Sequence, residues 1–174
     1  MNVLDAFGAA GLAVNWRTVA LGWDGAGTWP RLLALEDVQR FAESALNTSD
    51  VPNESELVEI VAASADEGED VVKRIRSLAE ASGADPEREL RKWQVVLLKD
   101  QLWKIPRDPL YGLLALTEFW EKFGFPEDSP HTVQGRGNTS TPNEYYSEEN
   151  YRRLLQRHAD WIESELRSLR ESNA

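Results

Sequence analysis

The sequence contains no cysteine, and this absence removes several classes of protein at once. Disulfide-linked secreted domains and zinc sites built on thiolates are excluded, and a reducing cytoplasm is the expected compartment. The chain also lacks an apolar run of membrane-spanning length, so no membrane partner is expected. Its first residues are apolar, but they carry Asp5 and no early lysine or arginine, which argues against a secretory signal peptide.

Basic residues are scarce in the first part of the chain. Residues 1–72 contain 13 acidic and 3 basic residues, a net charge of −10, whereas residues 73–174 contain 17 and 16, a net charge of −1. Residues 41–72 contain no lysine or arginine but nine acids: Glu43, Asp50, Glu54, Glu56, Glu59, Asp66, Glu67, Glu69 and Asp70. Such a negative field repels nucleic acid and attracts a protein with a basic surface.

Motifs that carry chemistry are also missing. The chain has only two histidines, His131 and His158, and neither has a partner at metal-ligand spacing in the sequence. No nucleophile-elbow pattern accompanies them. A lone histidine at the edge of a core is usually a structural residue that hydrogen bonds to its neighbours. We therefore expect no catalytic residues and predict that the chain is not an enzyme.

Two further segments fall short of ligand-binding motifs. The acidic run 66–70 lacks the alternate acids, the glycine and the final glutamate of a calcium loop. The segment 134–138 resembles a phosphate-binding loop only loosely, because it has neither the P-loop lysine pattern nor a preceding strand. No metal and no cofactor are expected.

Helical periodicity recurs along the whole chain, with turn residues between the periodic segments. This pattern predicts an all-α protein, a single compact domain over residues 1–174 with about seven helices. Residues 126–146 are rich in Gly, Asn, Ser, Thr and Pro and are predicted to form a long polar loop. Residues 147–171 are predicted to form the C-terminal helix. The run Val95–Leu98 also fits a short buried strand, but no second strand is evident to pair with it.

The segment 108–128 carries the clearest helix signals. Asp108 is a good N-cap, Pro109 suits the first helical position, Gly124 suits the position after the helix, and Pro126 blocks continuation. The spacing predicts a buried stripe of Leu110, Leu113, Leu114, Thr117, Trp120 and Phe123. We therefore expect this to be the central core helix.

Short motifs between residues 15 and 130 resemble a bacterial family of uncharacterised helical domains. They are Asn15-Trp16, Gly22-Trp23, Leu35-Glu36-Asp37-Val38, Asp108-Pro109-Leu110 and Phe123-Gly124-Phe125-Pro126-Glu127. The sequence departs from that pattern at 22–30 and 128–146. The family resembles those found among immunity proteins of bacterial toxin systems. That resemblance implies a binding protein and offers no catalytic residues to carry over.

Together these features favour an acidic protein-binding domain, most simply a bacterial immunity protein that neutralises a basic toxin domain by occlusion. The predicted contact residues are seven acids and two tryptophans of the 22–30 loop, which either fold onto the core or anchor the partner: Glu54, Glu56, Glu59, Asp66, Glu67, Glu69, Asp70, Trp23 and Trp29. The alternatives are a soluble protein whose acids have no binding role, a helical scaffold or oligomerisation protein, and an enzyme that uses carboxylates with His131 or His158.

Overall fold

The computed structural model describes residues 3–48 and 53–171. Every regular element within these residues is a helix, so the predicted all-α class is confirmed and Val95–Leu98 is helical. Nine α-helices are described, eight of them with seven or more residues, where about seven were predicted. They are α1 (Val3–Ala9), α2 (Trp16–Asp24), α3 (Leu35–Leu46), α4 (Glu54–Ala62), α5 (Gly68–Ala81), α6 (Pro86–Lys104), α7 (Pro109–Glu121), α8 (Pro142–Tyr145) and α9 (Glu148–Glu171), with a short 3-10 helix at Ala65–Glu67.

The chain forms two units, residues 1–93 (unit 1) and residues 94–174 (unit 2), and the boundary falls inside α6. The prediction of one helical domain over residues 1–174 stays a prediction. No helix in the described ranges combines the length and the apolar character that a membrane crossing requires.

Unit 1 is built around Trp93, which is fully buried. Trp93 is the last residue of α6 that belongs to this unit. Its indole Nε1–H donates a 2.9 Å hydrogen bond to the Thr18 carbonyl oxygen, and its ring forms a T-shaped contact with Phe7. Asn15 caps α2, because its side chain accepts from the Thr18 amide. In this unit α2 packs against α5, and α3 packs against α4.

A buried ion pair lies beside Trp93 on α6. Lys92 Nζ is 2.7 Å from Glu89 Oε1, and both side chains are only 2% exposed. Lys92 also donates to the Ala13 carbonyl oxygen at 3.0 Å, and the Thr18 hydroxyl donates to Glu89 Oε2 at 2.5 Å. The two charges therefore neutralise each other and use the polar groups at the start of α2, as buried charges require. The sequence did not indicate this pair, because lysine and glutamate are seldom fully buried.

Gly22 of α2 provides a test of how tightly the core of unit 1 is packed. A Cβ at this position would lie 2.4 Å from Trp93 Cζ2 and within 3 Å of the buried Leu33 side chain. We expect Gly22→Ala to lower the free energy of unfolding by about 2 kcal/mol, because overpacking outweighs the gain in helix propensity. Urea unfolding measures the change.

Gly8 is the matched control for Gly22, since it also lies in a helix of unit 1 but a Cβ there would meet nothing within 4 Å. We expect Gly8→Ala to leave stability unchanged or to raise it by about 0.5 kcal/mol. Equal effects of the two substitutions would show that Gly22 is not a close-packing position.

Unit 2 is organised by α7 and α9, which pack against each other. Asp108 caps α7 as predicted, since its side chain accepts from the amides of Leu110 and Tyr111. Gly112 permits the close approach, because a Cβ there would lie 2.2 Å from the Tyr151 hydroxyl of α9. That hydroxyl donates to the Pro106 carbonyl oxygen at 2.5 Å and so ties α9 to the segment before α7.

The predicted buried face of α7 is partly wrong. Leu113 and Trp120 are fully buried, but Leu110 and Leu114 are 42% and 41% exposed. The residues that complete the buried side are Gly112, Leu116 and Phe119. Apolar residues occupy nearly the whole circumference of this helix, so periodicity alone does not select the side that is buried.

The predicted 126–146 loop contains a short helix. Thr141 and Glu144 form a capping box, and Pro142 takes the first position of α8. The Tyr145 hydroxyl donates to the Thr132 carbonyl oxygen at 2.6 Å, which ties α8 to the preceding part of the loop. The C-terminal helix begins after Ser147 as predicted, and the Ser147 hydroxyl accepts from the Asn150 amide.

Candidate functional site

The seven acids predicted to contact a partner all lie on α4, the 3-10 helix Ala65–Glu67 and the first turn of α5. We call this set the acid surface: Glu54, Glu56, Glu59, Asp66, Glu67, Glu69 and Asp70. Glu56 is half-buried and the other six are exposed. Asn53 precedes α4, but it has a left-handed backbone (φ 61°) and makes no side-chain cap. Asp50 lies outside the described residues.

Basic and hydroxyl groups meet several of these acids. Arg74 of α5 forms an ion pair with Glu59 of α4, and Lys73 lies 3.2 Å from Asp70. The Ser77 hydroxyl donates to Glu56 at 3.4 Å. The sequence interval 41–72 contains no basic residue, yet the packing of α5 against α4 brings Arg74 to Glu59, and Lys73 lies one turn after Asp70 on α5 itself. The negative charge of the acid surface is therefore partly compensated, which its sequence interval did not indicate.

Glu67 has a structural role within this set. Its carboxylate accepts from the amide and the hydroxyl of Ser64, at 2.7 and 3.0 Å, and so caps the 3-10 helix. These hydrogen bonds hold the pKa of Glu67 below its usual value. Glu67 thus stays ionised at neutral pH, but part of its charge is already used by the chain itself.

Two open cavities lie along α4 and α5. One, of about 340 Å³, is lined by Glu59, Glu67 and Asp70 with Arg74. The other, of about 270 Å³, is lined by Glu56 and Asp70 with Lys73, Arg74 and Ser77. Four of the seven predicted acids therefore line cavities, and Asp70 and Arg74 line both. The volume of the first cavity is within the range of cavities that receive small ligands, and that of the second is slightly below it. A single side chain is smaller than such a ligand, so each cavity offers room for one.

The two predicted tryptophan anchors differ in their exposure. Trp23 is only 4% exposed, and the Arg31 guanidinium lies 3.9 Å from the centre of its ring. Trp23 is therefore a core residue, which is the first of the two alternatives for these tryptophans, and its burial gives no support to the predicted contact. Trp29 is half-buried, so its role in a contact stays a prediction. Trp23 lies near the C-terminal end of α2 rather than in the predicted loop.

The two histidines come together in unit 2, which their sequence spacing did not indicate. Their ring centroids are 5.5 Å apart. His158 is fully buried, and its Nε2 accepts a 3.0 Å hydrogen bond from the Trp120 indole N–H. Its Nδ1 lies 2.6 Å from the Leu154 carbonyl oxygen, which can only accept, so Nδ1 carries the proton. His158 is thus neutral, and both of its nitrogens are used.

His131 is 7% exposed and is the less satisfied of the pair. The Thr117 hydroxyl donates to the Leu113 carbonyl oxygen, so its oxygen accepts from His131 Nε2–H at 2.9 Å. Within the described part of the chain, Nδ1 is buried and has no hydrogen-bond partner. His131 therefore holds a buried lone pair and is neutral as well.

Burial explains the titration of both rings. Together with smaller effects of the neighbouring His158 and Arg157, it lowers the pKa of His131 from 6.5 to about 3. It lowers the pKa of His158 to about 4, against the opposing effect of its hydrogen bond to Leu154. Both rings are neutral over the physiological range, so the pair carries no charge to a ligand.

A catalytic base or metal ligand needs a lone pair that a substrate or ion can reach. His131 hydrogen bonds to a threonine rather than to a carboxylate, and His158 has no free nitrogen. Among the described residues, no group of three or more His, Cys, Asp or Glu side chains is arranged to hold a metal. The histidine alternative thus gains no support from this geometry, and the absence of enzymatic activity stays a prediction.

The chain belongs to a bacterial family, described as an uncharacterized protein conserved in bacteria (DUF2247), which it matches over residues 4–166. The expectation of an uncharacterised bacterial family is thereby confirmed. That description names no activity and no partner, so the resemblance to immunity proteins of toxin systems stays a prediction. Comparison with curated proteins and with solved structures gave no match.

Proposed function

We propose that this chain is a protein-binding domain whose acid surface receives a partner with a basic surface. The observation that supports the proposal is the pair of open cavities along α4 and α5, lined by Glu56, Glu59, Glu67 and Asp70. Carboxylates around an open cavity form charge-assisted hydrogen bonds with a lysine or arginine that enters it. A covered partner surface is inactive by occlusion, without any chemistry in this chain.

Steering and affinity come from different parts of such a surface. Exposed acids raise the rate of encounter with a basic partner, but each exposed ion pair contributes little to affinity. Apolar contact must supply the rest, and α4 offers Val58, whose side chain is 49% exposed between Glu54 and Ala62 on the same side of the helix. The proposed contact is therefore a basic side chain in the cavity with apolar contact at Val58.

In its narrower form, the proposal makes the partner a bacterial toxin domain and this chain its immunity protein. The support for this form is the family resemblance together with the acid surface. The test is co-expression with any toxin domain that a neighbouring gene encodes, and this chain should restore the growth that the toxin domain inhibits. Growth that stays inhibited despite soluble expression of both proteins would reject the immunity role, while the wider proposal of a basic partner would remain open to test.

Charge reversal at three exposed acids tests the wider proposal. We expect Glu54→Lys, Asp66→Lys and Glu69→Lys together to slow association with a basic partner at least about tenfold at low salt, because steering depends on the local field. The three side chains are exposed and line neither cavity, so the variant should keep the fold of unit 1 and the shape of both cavities. The partner is first captured from a lysate of the native host and identified, and its association rate is then measured by surface plasmon resonance.

The matched control reverses three exposed acids of α9, Glu149, Glu163 and Glu171. Each triple variant changes the net charge from −11 to −5, since three reversals add six units. A difference between the two variants therefore reports the position of the charges and not their total. Equal association rates for both variants would reject the acid surface as the contact site.

A further inference from the structure

One side of α7 is exposed and apolar in its first two turns. Leu110, Tyr111 and Leu114 are 42%, 63% and 41% exposed, and Glu118 and Glu121 follow as exposed residues. At about 100° per residue, Leu110, Leu114, Glu118 and Glu121 fall within an arc of about 80°. We call these five residues the outer face of α7. Exposed apolar side chains that cluster on one helix face mark an interaction surface.

The charges at the two ends of this face have opposite signs. Glu118 and Glu121 lie at its C-terminal end, and α7 itself contains no lysine or arginine. The N-terminal end carries the positive partial charge of the helix and the exposed Arg107. Asp108 lies beside Arg107, but its carboxylate is held by the amides of α7 as the N-cap. The face is thus complementary in charge to a copy of itself turned end to end.

We propose that the outer face of α7 binds a second copy of this chain, with the two α7 helices antiparallel about a two-fold axis at Leu114. In this arrangement Leu114 meets Leu114 of the second copy. Arg107 and Glu121 lie about two helical turns from Leu114, on opposite sides of it. Arg107 of each copy therefore meets Glu121 of the other copy across the axis. Glu118 covers Leu110 of the second copy with its methylene groups and places its carboxylate near the start of that helix.

The net charge of −11 makes two copies of the chain repel each other. This repulsion acts over longer distances than the contacts of the outer face of α7. At about 0.15 M ionic strength the Debye length is about 8 Å, so charges far from the axis are largely screened. A contact made by one helix face is small, and small interfaces are typical of transient complexes. We therefore expect a dimer that forms and dissociates with protein concentration.

The first test places a charge at the axis. Leu114→Glu brings two carboxylates together and removes the central apolar contact, so the dissociation constant should rise at least about tenfold. Sedimentation equilibrium at physiological salt measures it over a series of protein concentrations. Val58→Glu is the matched control, since Val58 is an exposed apolar residue on a helix of unit 1. It should leave the dissociation constant unchanged.

The second test exchanges the paired charges. Arg107→Glu and Glu121→Arg should each weaken the dimer several-fold, because each places like charges opposite one another twice. The double variant restores both pairs in reverse and should return to the wild-type constant. A wild-type chain that stays monomeric at all concentrations overturns the proposal, and so does a dimer that Leu114→Glu does not weaken. A double variant that is not restored overturns the antiparallel arrangement.

This interaction surface goes beyond the proposed function, because it lies in unit 2 and requires no basic partner. The triple charge reversals of the acid surface should leave the dimer unchanged. A failure of either proposal is therefore visible without any effect on the other.

Discussion

Replacing Lys92 with methionine is expected to lower the free energy of unfolding by about 3–5 kcal/mol. The substitution leaves the Glu89 carboxylate buried without its ammonium partner, and an unpaired buried charge is strongly destabilising. It also removes the 3.0 Å hydrogen bond to the Ala13 carbonyl oxygen. Urea unfolding followed by circular dichroism at pH 7 measures the loss.

Two controls identify burial as the cause. Lys104 and Asp100 form an exposed ion pair at 2.6 Å, so Lys104→Met should cost no more than about 0.5 kcal/mol. Replacing both Glu89 and Lys92 with methionine removes both charges, so more than half of the loss should be recovered. The Thr18 hydroxyl then has Asn15 Oδ1 at 3.3 Å as its alternative acceptor. Similar losses for Lys92→Met and Lys104→Met would contradict the buried environment of Lys92.

Acidification is expected to destabilise unit 2 between pH 6.5 and about pH 4. In the folded chain the pKa of His131 is lowered to about 3 and that of His158 to about 4, whereas an unfolded histidine titrates near 6.5. The unfolded state therefore binds up to two more protons within this interval. Stability is fully present above pH 6.5 and falls with decreasing pH, by up to about 1.4 kcal/mol per pH unit for each histidine.

Two measurements check this linkage. The chain has only two histidines, so their imidazole Cε1–H NMR signals can be followed singly, and neither should titrate between pH 7 and pH 5. Urea unfolding at pH 6.5 and pH 5.0 gives the slope of stability with pH, and His131→Gln should roughly halve it. An imidazole signal that titrates with a midpoint near 6.5 would contradict the lowered pKa of that histidine. An unchanged slope of stability with pH in His131→Gln would show that His131 does not contribute to the linkage.

Local signals were enough to predict most of the helices. Asn15, Asp108 and Ser147 precede helices as their cap chemistry predicts, because N-cap hydrogen bonds involve only residues two or three positions away. The same rule identifies Thr141 and Glu144 as the start of α8, a signal that the polar composition of the 126–146 loop obscured. Signals of this kind depend on neighbours in the chain, and the sequence contains them completely.

Contacts between distant residues could not be read in this way. The clustering of the acids in residues 41–72 followed from the sequence, but the ion pair of Glu59 with Arg74 did not, because it depends on how α4 and α5 pack. The meeting of His131 with His158 likewise depends on the segment after α7 folding back against α7 and α9. Trp23 is buried with Arg31 over its ring, a contact that local spacing does not specify.

The sequence by itself determined the helical class, the helix starts and the acidic interval, since each follows from short-range chemistry and composition. Only the tertiary structure decided which side of α7 is buried. Apolar residues of α7 occupy nearly all of its sides, so their spacing does not determine which side is buried. The shape of the neighbouring helix decides this, as the contact of Tyr151 with Gly112 shows. The side that remains, with Leu110, Tyr111 and Leu114, is exposed because the close approach at Gly112 fixes α9 on the other side.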